Sequence, residues 1–510
     1  MCKKTNLLRP QQGWILSVLA AVGVALLGSC ASGYESPDGF DVGVSNQQLV
    51  TPDSVSFSLN SAGDEMTISW PLVMGALGYE VTITNVDDPE NITIVDKYDH
   101  YMVDGCKIAV PVSEDSNYKL AIRVLGNPEY NNIDAAEATV YDFTTGVPSV
   151  MTIPSGSDIY EYMQANPLDS TTIDQEVAID LEIGGEYTCS GPVNFYGQRL
   201  QFRGNKVNRP IVRMIDKGAF YSYSGLGVKY INFDFTESTA QSFLFFSADS
   251  LPDNIKSQNL GYTRRGGLIN NVYIVQDEVY FRSCMFKNLP NAIIHDNEVS
   301  CAYWNFDMYD CIIQGNNSGS VGLICLQKAG RMIKNTSIRS CTIYNIVDNS
   351  QAYFMRWSNS SNSNPEKTFG DVSSYYASQS ITFMNTTFSK TYTGQKFVNN
   401  INSNYLTTTI ENCIFYDVAQ VRRVCIGTKT FRFNFWYAYT NPDSQDMSQK
   451  DSYGTPFASQ YDPKFQGDVL QPLDLTKENG GVNFTPGEYE IIANKGGDPR
   501  WLPSSGTSEE

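Results

Sequence analysis

The hexapeptide Phe281-Arg-Ser-Cys284-Met-Phe286 decides the fold, because four later stretches of the chain repeat its pattern. Each stretch has an apolar residue, a variable one, a Ser, Asp or Asn, a Cys or Thr, a variable one and a second apolar residue. The repeats are Met308-Tyr-Asp-Cys311-Ile-Ile313, Ile338-Arg-Ser-Cys341-Thr-Ile343, Phe383-Met-Asn-Thr386-Thr-Phe388 and Ile410-Glu-Asn-Cys413-Ile-Phe415. The Cys or Thr positions 284, 311, 341, 386 and 413 step by 27, 30, 45 and 27 residues. Self-similarity at such a period indicates stacked supersecondary units.

The repeat predicts a right-handed parallel β-helix. The Ser, Asp or Asn position is a bend that tolerates unusual backbone dihedrals. The Cys or Thr column then points inward, and so does an apolar column two residues further on, formed by Phe286, Ile313, Ile343, Phe388 and Phe415. The stretch from Tyr230 to Phe235 fits a looser version, with Phe233 in the Cys place. A β-propeller or a large sandwich is the competing interpretation, but the blade motifs of propellers are missing.

Two insertions and two caps complete the predicted β-helix, which we place at residues 158–503. The 45-residue step indicates one coil with an insertion at about Ser358–Ser380, and a second insertion covers about Ala248–Asn271. A β-helix must cover its ends, since open edges would pair with other chains. Asp158–Ala165 is predicted to form a short N-terminal cap, and Asn434–Trp501 to wrap the last coils.

The first 50 residues read as an export signal and a tether. Lys3, Lys4 and Arg9 precede a short apolar run from Trp14 to Gly28, and small residues then lead to Cys30. This is the pattern of a secretory signal. Leu27-Gly28-Ser29-Cys30 resembles a bacterial lipobox, and the resemblance implies cleavage before Cys30 and acylation of its thiol. The alternative is an ordinary signal peptide with an accidental cysteine. Residues 1–29 are thus the predicted signal, and residues 30–50 a flexible tether.

Residues 51–146 are predicted to form a small β-sandwich, because short stretches of alternating apolar residues are separated by turn residues. Trp70, at the end of one stretch, and Tyr118, at the start of a later one, resemble the fibronectin type III layout. That layout implies a Trp in the core and a Tyr that makes a corner hydrogen bond. Such domains are spacers more often than ligand binders. Gly146–Gly156 is predicted to be a linker.

Charge and cysteine content exclude several functions. Without Lys3, Lys4 and Arg9, the 36 basic residues fall to 33, and against 55 acidic residues the net charge is −22. Such a chain repels nucleic acid. Nine cysteines remain beyond Cys2 and Cys30, an odd number in mostly apolar surroundings, which favours buried thiols over disulfides or metal ligands. We expect no cofactor, apart from calcium if an acidic glycan binds. The nine are Cys106, Cys189, Cys284, Cys301, Cys311, Cys325, Cys341, Cys413 and Cys425.

The sequence contains few of the residue arrangements that catalysis on this fold requires. A lyase on this fold needs a strong base and a cation held by clustered Asp residues, and a hydrolase needs adjacent Asp residues. The one Asp-Asp pair, Asp87-Asp88, lies in the predicted sandwich. His295 beside Asp296 could act as a base, but a loop His-Asp pair with no third partner is more often solvated.

The sequence contains more residues that are suited to binding a glycan. The position two residues before the Cys or Thr column should be exposed, and stacked coils place its occupants about 4.8 Å apart. These occupants are Arg282, Tyr309, Arg339, Met384 and Glu411. The predicted glycan-binding residues are Arg282, Tyr309 and Arg339 of this ladder, with Arg356 and the aromatic residues Trp304, Trp357, Tyr375 and Tyr376, which we place on loops.

The lipobox, sandwich and β-helix together resemble surface lipoproteins of polysaccharide-degrading Bacteroidota, in particular uncharacterised pectin-lyase-like families encoded beside glycan importers. Gly185–Gly204 resembles their opening coil and Gly497–Trp501 their C-terminal signature. The resemblance implies an outer-membrane lipoprotein at the cell surface, with polysaccharide and importer components as partners. We therefore expect a glycan-binding protein, with pectin-like acidic glycan as a candidate ligand. The alternatives are a polysaccharide lyase or other carbohydrate-active enzyme with a divergent site, and a structural or adhesive protein.

Overall fold

The computed structural model describes residues 47–170, 173, 175–262, 267–268, 271–296, 299–317, 319, 321–326, 330–347, 353–356, 365–370, 378–391, 397–399, 406–418, 428–437 and 450–503. The described residues divide into two compact units. The first holds residues 47–84, 94–111 and 119–143, and the second holds residues 85–93, 112–118 and the described residues from 144 onward. No helix among the described residues has the length and apolar character needed to cross a membrane.

The sandwich predicted for residues 51–146 is present as two sheets. One contains β2 (Ser56–Leu59), β3 (Glu65–Ser69) and β7 (Lys107–Pro111), and the other contains β4 (Ala76–Asn85), β5 (Thr93–Ile94), β6 (Tyr101–Val103), β8 (Asn117–Gly126) and β10 (Thr139–Thr144). The stacked rings of Phe57 and Phe143, 4.8 Å apart, join the two sheets. Two short strands, β1 (Gln47–Gln48) and β9 (Asn132–Ile133), pair in parallel, and a 3-10 turn covers Pro128–Tyr130.

Trp70 and Tyr118 are both buried, as the fibronectin type III layout requires. The hydroxyl of Tyr118 accepts a hydrogen bond of 2.8 Å from the backbone N–H of Ser113, which is the corner hydrogen bond that the resemblance implies. Membership of that family stays a prediction.

A right-handed parallel β-helix forms the main part of the second unit, which confirms the predicted fold class. Three sheets of parallel strands run along it, and successive coils add one strand to each; crossovers between parallel strands are right-handed in about 98% of cases. Sheet I consists of β11 (Ser149–Ile153), β12 (Glu176–Leu181), β15 (Arg199–Arg203), β18 (Leu226–Lys229), β22 (Val279–Arg282), β25 (Cys301–Tyr309), β28 (Met332–Arg339), β31 (Gln379–Met384), β34 (Leu406–Glu411) and β36 (Thr428–Arg432), with β21 (Tyr273–Val275) also paired to β25.

The other two sheets follow the same order of coils. Sheet II consists of β13 (Glu186–Cys189), β16 (Ile211–Asp216), β19 (Asn232–Ser238), β23 (Met285–Leu289), β26 (Ile312–Gly315), β29 (Thr342–Asn345), β32 (Thr387–Ser389), β35 (Ile414–Tyr416), β37 (Phe435–Tyr437) and β38 (Ser459–Gln460). Sheet III consists of β14 (Pro192–Asn194), β17 (Ala219–Ser222), β20 (Ser242–Phe246), β24 (Ala292–His295), β27 (Ile324–Cys325), β30 (Met355–Arg356) and β33 (Val398–Asn399). Strand β11 lies inside the stretch predicted to be a linker, so the β-helix begins earlier than residue 158.

The five aligned repeats stack in the predicted register. Arg282 pairs with Tyr309, Tyr309 with Arg339, and the ladder continues through Met384 to Glu411. The bend residues take the left-handed backbone conformation, with φ between 48° and 55°. They are Ser283, Asp310, Ser340, Asn385 and Asn412. The short polar side chains of the repeat therefore serve a backbone requirement, as expected for residues that tolerate positive φ.

The looser repeat at Tyr230 was aligned wrongly. Lys229 pairs with Arg282, so Tyr230 is the bend residue, with φ of 58°, and Ile231 rather than Phe233 takes the Cys place. Phe233 instead pairs with Phe286, and their rings stack 5.3 Å apart. A further coil follows the last predicted repeat, with Phe433 as its bend residue and Asn434 in the Cys place, where its side chain accepts a hydrogen bond from the backbone N–H of Cys413.

Eight cysteines lie among the described residues, and all eight are free thiols. Seven of them are buried, and Cys106 is half-buried. In the inward column the backbone N–H of Cys311 donates to the sulfur of Cys341 at 3.4 Å. Burial raises the pKa of the Cys413 thiol to about 12, so this group packs as a small apolar side chain. The prediction of buried thiols is confirmed for the described part of the chain; Cys425 lies outside it.

Both ends of the β-helix are covered. The predicted N-terminal cap is helix α1 (Ile159–Ala165), which Asp158 caps by accepting a hydrogen bond from the backbone N–H of Glu161. The tail, residues 450–503, contains helix α3 (Tyr489–Ala493) and 3-10 turns at Glu478–Gly481 and Pro499–Trp501. It reaches further than the last coils, because its apolar residues pack on the outer face of sheet II as far back as Ile211 of β16. That cluster joins Met285, Ile312 and Tyr344 to Leu473, Leu475, Val482, Phe484 and Trp501.

The two insertions also occur where the sequence places them, between β20 and β21 and between β30 and β31. Their described parts include the 3-10 turn Asp253–Ile255 and helix α2 (Pro365–Phe369). They contact each other, since the hydroxyl of Ser257 donates to the backbone carbonyl of Thr368 at 2.5 Å.

Candidate functional site

The outer face of sheet I carries the candidate site. Alternate residues of its strands, such as Phe281, Met308 and Ile338, lie in the core, so the residues between them face outward. The outward side chains of β22, β25 and β28 form what we call the outer strip. It consists of two rows of paired residues, Tyr280–Asp307–Ser337 and Arg282–Tyr309–Arg339, in which the residue on β25 pairs with one neighbour on each side.

Hydrogen bonds hold the strip in a fixed geometry. The Nη2 of Arg339 donates to both carboxylate oxygens of Asp307, at 3.0 and 3.2 Å, and its Nε donates to the hydroxyl of Ser337 at 3.0 Å. The guanidinium lies 5.4 Å from the ring centre of Tyr309, so the aromatic ring supports it from one side. Tyr309 itself is 44% exposed. The strip therefore offers a solvent-facing ring beside a fixed array of donors and acceptors.

A third row runs beside the strip and consists of amide and hydroxyl groups. The side-chain amide of Asn335 donates to Asn305 at 2.9 Å, and the hydroxyl of Ser380 donates to Asn335 at 3.0 Å. Because these residues occupy matching positions on neighbouring strands, the polar surface continues unbroken from β25 to β31.

A depression lies beside the strip, on the side of the N-terminal coils. There the residue of β18 that pairs with Tyr280 is Gly227, which has no side chain. A Cβ atom at Gly227 would lie 2.1 Å from the Cζ of Tyr280, so the tyrosine ring occupies the space that glycine leaves. A cavity of about 140 Å³ opens beside it, lined among others by Glu176, Arg199 and Glu278. Partial loss of solvent around its carboxyl group, and then the charge of Asp307, raise the pKa of Glu278.

The arginines of the strip do not form a free basic patch, which corrects the sequence-based expectation. Arg339 is engaged with Asp307, and Arg282 donates to Glu114 at 2.9 Å. Glu114 belongs to the segment 112–118 of the same compact unit. Arg199 likewise pairs with Asp277 at 3.0 Å. The electrostatic attraction for anions that isolated arginines would provide is therefore largely neutralised on this face.

The strip is part of a longer row that the sequence alignment found only in part. Arg203 and Lys229 precede Arg282 in this row, and Arg432 follows Glu411. The coils that carry them lack the Cys or Thr signature. In the sequence, a basic residue precedes the bend in both coils, at Arg203-Gly204 and at Lys229-Tyr230. This similarity identifies a repeat only once the strand pairing is known.

Two other predicted site residues lie away from the strip. Trp304 is in strand β25 rather than on a loop, and it is half-buried between the rings of Tyr262 and Phe369, at 6.0 and 5.8 Å. Lys334 packs over its ring at 4.7 Å. The insertions thus cover Trp304, because an indole in a strand next to apolar loops gains more from burial than from exposure. Arg356 belongs to sheet III, where it pairs with Cys325 and Asn399 and lies over Tyr353.

The remaining predictions fall elsewhere. Cys30, Trp357, Tyr375 and Tyr376 lie outside the described residues. His295 is not a solvated loop residue: it ends strand β24, is mostly buried, and lies 3.3 Å from Asp296, which pairs with the buried Arg331. Burial lowers the pKa of His295, but hydrogen bonds to Asp296 and Cys325 outweigh this and raise its pKa to about 10. A histidine that stays protonated near neutral pH is a poor general base.

Within the described ranges, no group of three or more His, Cys, Asp or Glu side chains is arranged to hold a metal ion. The acidic residues on sheet I pair with arginines instead of converging on one point.

Comparisons with known proteins match the chain to two domain families and to solved structures. The model of a domain of unknown function, DUF4992, matches residues 2–186, and that of a second domain of unknown function, DUF4957, matches residues 185–346. No curated protein matches the sequence. Among solved structures the chain is similar to a pectate lyase from Erwinia chrysanthemi crystallised with tetragalacturonic acid, with 9% identity over 58% of this chain and 86% of that chain and a TM-score of 0.16. A likeness this loose carries no argument about the site. The matches to the two domain families overlap at residues 185–186, where the first strand of sheet II begins.

Proposed function

We propose that this chain is a lipid-anchored protein of the cell surface that binds polysaccharide along the outer face of sheet I. The observation that carries the proposal is the outer strip, a row of paired polar side chains and an exposed tyrosine at the spacing of parallel strands. The outer face of sheet II is covered by the tail, so it is closed to a polymer, whereas Tyr309 and Arg339 on sheet I still contact solvent.

The chemistry of the strip suits sugar rings. A pyranose presents an apolar face of CH groups, which packs against an aromatic ring such as Tyr309. Its hydroxyls exchange hydrogen bonds with fixed polar groups, here the Arg339–Asp307 pair and the Asn305–Asn335 row. Because a polysaccharide repeats along its length, several weak contacts at regular spacing together give a higher overall affinity than any one of them.

The paired arginines bear on the kind of glycan. A polyuronate would have to compete with Asp307 and Glu114 for the guanidinium groups, and the chain as a whole carries a net charge of −19. Neutral polysaccharide meets no such competition. We therefore propose neutral glycan as the better ligand, and pectin-like acidic glycan as the alternative within the same function.

Affinity electrophoresis of the exported ectodomain against neutral and acidic polysaccharides tests the proposal. Tyr309→Ala should lower the affinity at least fivefold and leave the melting temperature nearly unchanged. Tyr196, also 44% exposed but in the turn after strand β14, supplies the matched control as Tyr196→Ala. Equal affinity of Tyr309→Ala and the wild type for every bound glycan would remove the strip as the site.

A second candidate function is glycoside cleavage, which one observation favours. The pKa of Glu278 is raised, and Asp307 lies one strand away and two residues further along. A strand spacing of about 4.8 Å and a two-residue rise of about 6.6 Å place their Cβ atoms about 8 Å apart. Inverting glycosidases hold an acid and a base about 6.5–9.5 Å apart. New reducing ends that appear with the wild type and disappear with Glu278→Gln would establish this hydrolysis, whereas unsaturated uronides would indicate elimination instead.

A further inference from the structure

A second cavity lies at the opposite end of the β-helix, beside its last coil. Its volume is about 440 Å³, within the range of about 300–1,000 Å³ that small-molecule sites occupy. Strand β36 forms one side of the cavity through Thr430 and Arg432, and the loop containing Tyr453 and Thr455 forms the other. Three strand spacings, or about 14 Å, separate β36 from β28 and the outer strip.

Two aromatic side chains at this cavity are exposed to solvent. Phe433 is 55% exposed and Tyr453 is 81% exposed, although most aromatic rings of the β-helix are packed in its core. The loop that carries Tyr453 is well fixed, because the carboxylate of Asp451 accepts hydrogen bonds from the backbone N–H groups of Tyr453 and Thr455, each at 2.8 Å. The backbone that carries the exposed ring of Tyr453 is thus held in place.

Phe433 stands at a position where the five preceding coils carry short polar residues. It is the bend residue of the last coil, with φ of 49°, and the equivalent residues of the five preceding coils are Ser, Asp, Ser, Asn and Asn. A bulky side chain at positive φ is strained, whereas Asn adopts this conformation readily. Its exposed ring gains little from burial in return. Strained residues that bring the fold no gain cluster at ligand sites.

We infer that this cavity is a second carbohydrate site, in which Phe433 and Tyr453 hold one sugar ring of a polysaccharide chain. Aromatic rings alone would suit any apolar ligand, but polar side chains line the cavity beside the apolar ones, among them Thr430, Arg432 and Thr455. The hydroxyls of Thr430 and Thr455 can exchange hydrogen bonds with sugar hydroxyls. Arg432 is exposed and forms no ion pair among the described residues, so its donors are available to the ligand, in contrast to Arg339 of the strip.

The inference does not depend on the outer strip, because the two sites share no residue. If both bind, one polymer could lie along sheet I and contact both, since Arg432 continues the row that contains Arg282 and Arg339. At the terminal cavity the polymer would then contact Arg432, which forms no ion pair among the described residues, whereas Arg339 of the strip is paired with Asp307.

The experiment uses the exported ectodomain, affinity electrophoresis on a panel of neutral and acidic polysaccharides, and thermal unfolding. Phe433→Asn should lower affinity for the bound glycan at least fivefold and keep or raise the melting temperature, because Asn suits the left-handed bend. Tyr453→Ala should lower affinity to a similar extent. Tyr489→Ala is the control, since Tyr489 is 74% exposed but does not line the cavity.

Three results would overturn the inference. The first is wild-type affinity in both Phe433→Asn and Tyr453→Ala; if Tyr309→Ala nevertheless loses affinity, the strip remains and only the terminal site falls. The second is binding of no polysaccharide in the panel by the wild-type chain. The third is a dimer in sedimentation velocity that Phe433→Asn dissociates without a change in glycan affinity, which would assign the cavity to contact between copies of the chain.

Discussion

The carboxylate of Asp498 accepts a hydrogen bond of 2.7 Å from the hydroxyl of Thr342, 156 residues earlier in the chain. The same hydroxyl accepts a hydrogen bond of 2.7 Å from the indole N–H of Trp501, and the guanidinium of Arg500 donates to Asp498 at 2.8 Å. The sequence Gly497–Trp501, which resembles a C-terminal family signature, is therefore a structural clamp on sheet II.

Loss of this clamp should destabilise the β-helix. Asp498→Ala leaves the buried hydroxyl of Thr342 without its acceptor and removes one of two carboxylates from Arg500. We expect the free energy of unfolding to fall by about 3 kcal/mol, measured by denaturant unfolding. Glu478→Ala, which removes an exposed carboxylate of the same tail, should change it by less than about 0.5 kcal/mol. Similar values for the two variants would contradict the clamp.

The bend of the repeat makes a second prediction. Ser340 has φ of 53°, so Ser340→Gly should be neutral or slightly stabilising, while Ser340→Val should cost about 2 kcal/mol because a β-branched residue is strained there. Chemical denaturation of both variants gives the comparison. A valine variant as stable as the glycine variant would show that the bend relaxes to another conformation.

The inward cysteines should be protected from thiol reagents. Cys284, Cys311, Cys341 and Cys413 are free and buried, and burial raises the pKa of the Cys413 thiol to about 12. Thiolate is the reactive form, so modification should be slow in the folded chain and complete after denaturation. Cys106, which is half-buried, should react faster, and mass spectrometry of labelled peptides separates it from the column. Disulfides within the column would refute the assignment.

Lys334 should give stability a pH dependence in the alkaline range. Burial lowers its pKa to about 8, whereas a lysine in the unfolded chain titrates near about 10.4. Between these values the unfolded state binds more protons, so the contribution of Lys334 to the free energy of unfolding should rise with pH from about 8 to about 10. Lys334→Met removes that contribution. The difference between wild type and variant, followed by denaturant unfolding across this range, should therefore change with pH; a constant difference would mean an ordinary lysine pKa.

Attachment to the membrane is predicted to depend on Cys30. In the expressing cell, Cys30→Ala should move the protein from the membrane fraction to the soluble fraction, or leave it with its signal uncleaved, because one acylated thiol is the only membrane device that the sequence indicates. Cys106→Ala serves as the control and should stay membrane-bound. A correctly processed alanine variant that stays in the membrane fraction would disprove the anchor.

The sequence predicts the stacked coils well wherever the bend residue is short and polar. Five coils are aligned without error because Ser, Asp or Asn followed by Cys or Thr marks both the left-handed bend and the inward position. Where Tyr230 and Phe433 make the bend, the same backbone conformation carries an aromatic side chain, and periodicity alone points to the wrong residue. The alignment also leaves out Arg203 and Lys229, because their coils lack the Cys or Thr signature.

The site is less predictable, because it depends on which side chains neutralise or cover one another. The ladder of Arg282, Tyr309 and Arg339 follows from the coil spacing. The partners of the two arginines do not: Asp307 is recognised as a neighbour only from the register of β25 and β28, and Glu114 lies 168 residues from Arg282. Burial of Trp304 depends on two insertions that meet over it, a contact between segments more than 100 residues apart.

The long reach of the tail has a consequence for the order in which the chain matures. Synthesis delivers the N-terminal coils first, so β23, β26 and β29 can stack while the residues that cover them are still absent. Until Leu473, Phe484 and Trp501 emerge, the apolar side chains of Met285, Ile312 and Tyr344 stay wetted. A nascent chain therefore exposes a row of apolar side chains on sheet II, which becomes buried only when the tail docks. A chain truncated near residue 470 should contain all the coils and yet aggregate, because this apolar row stays exposed.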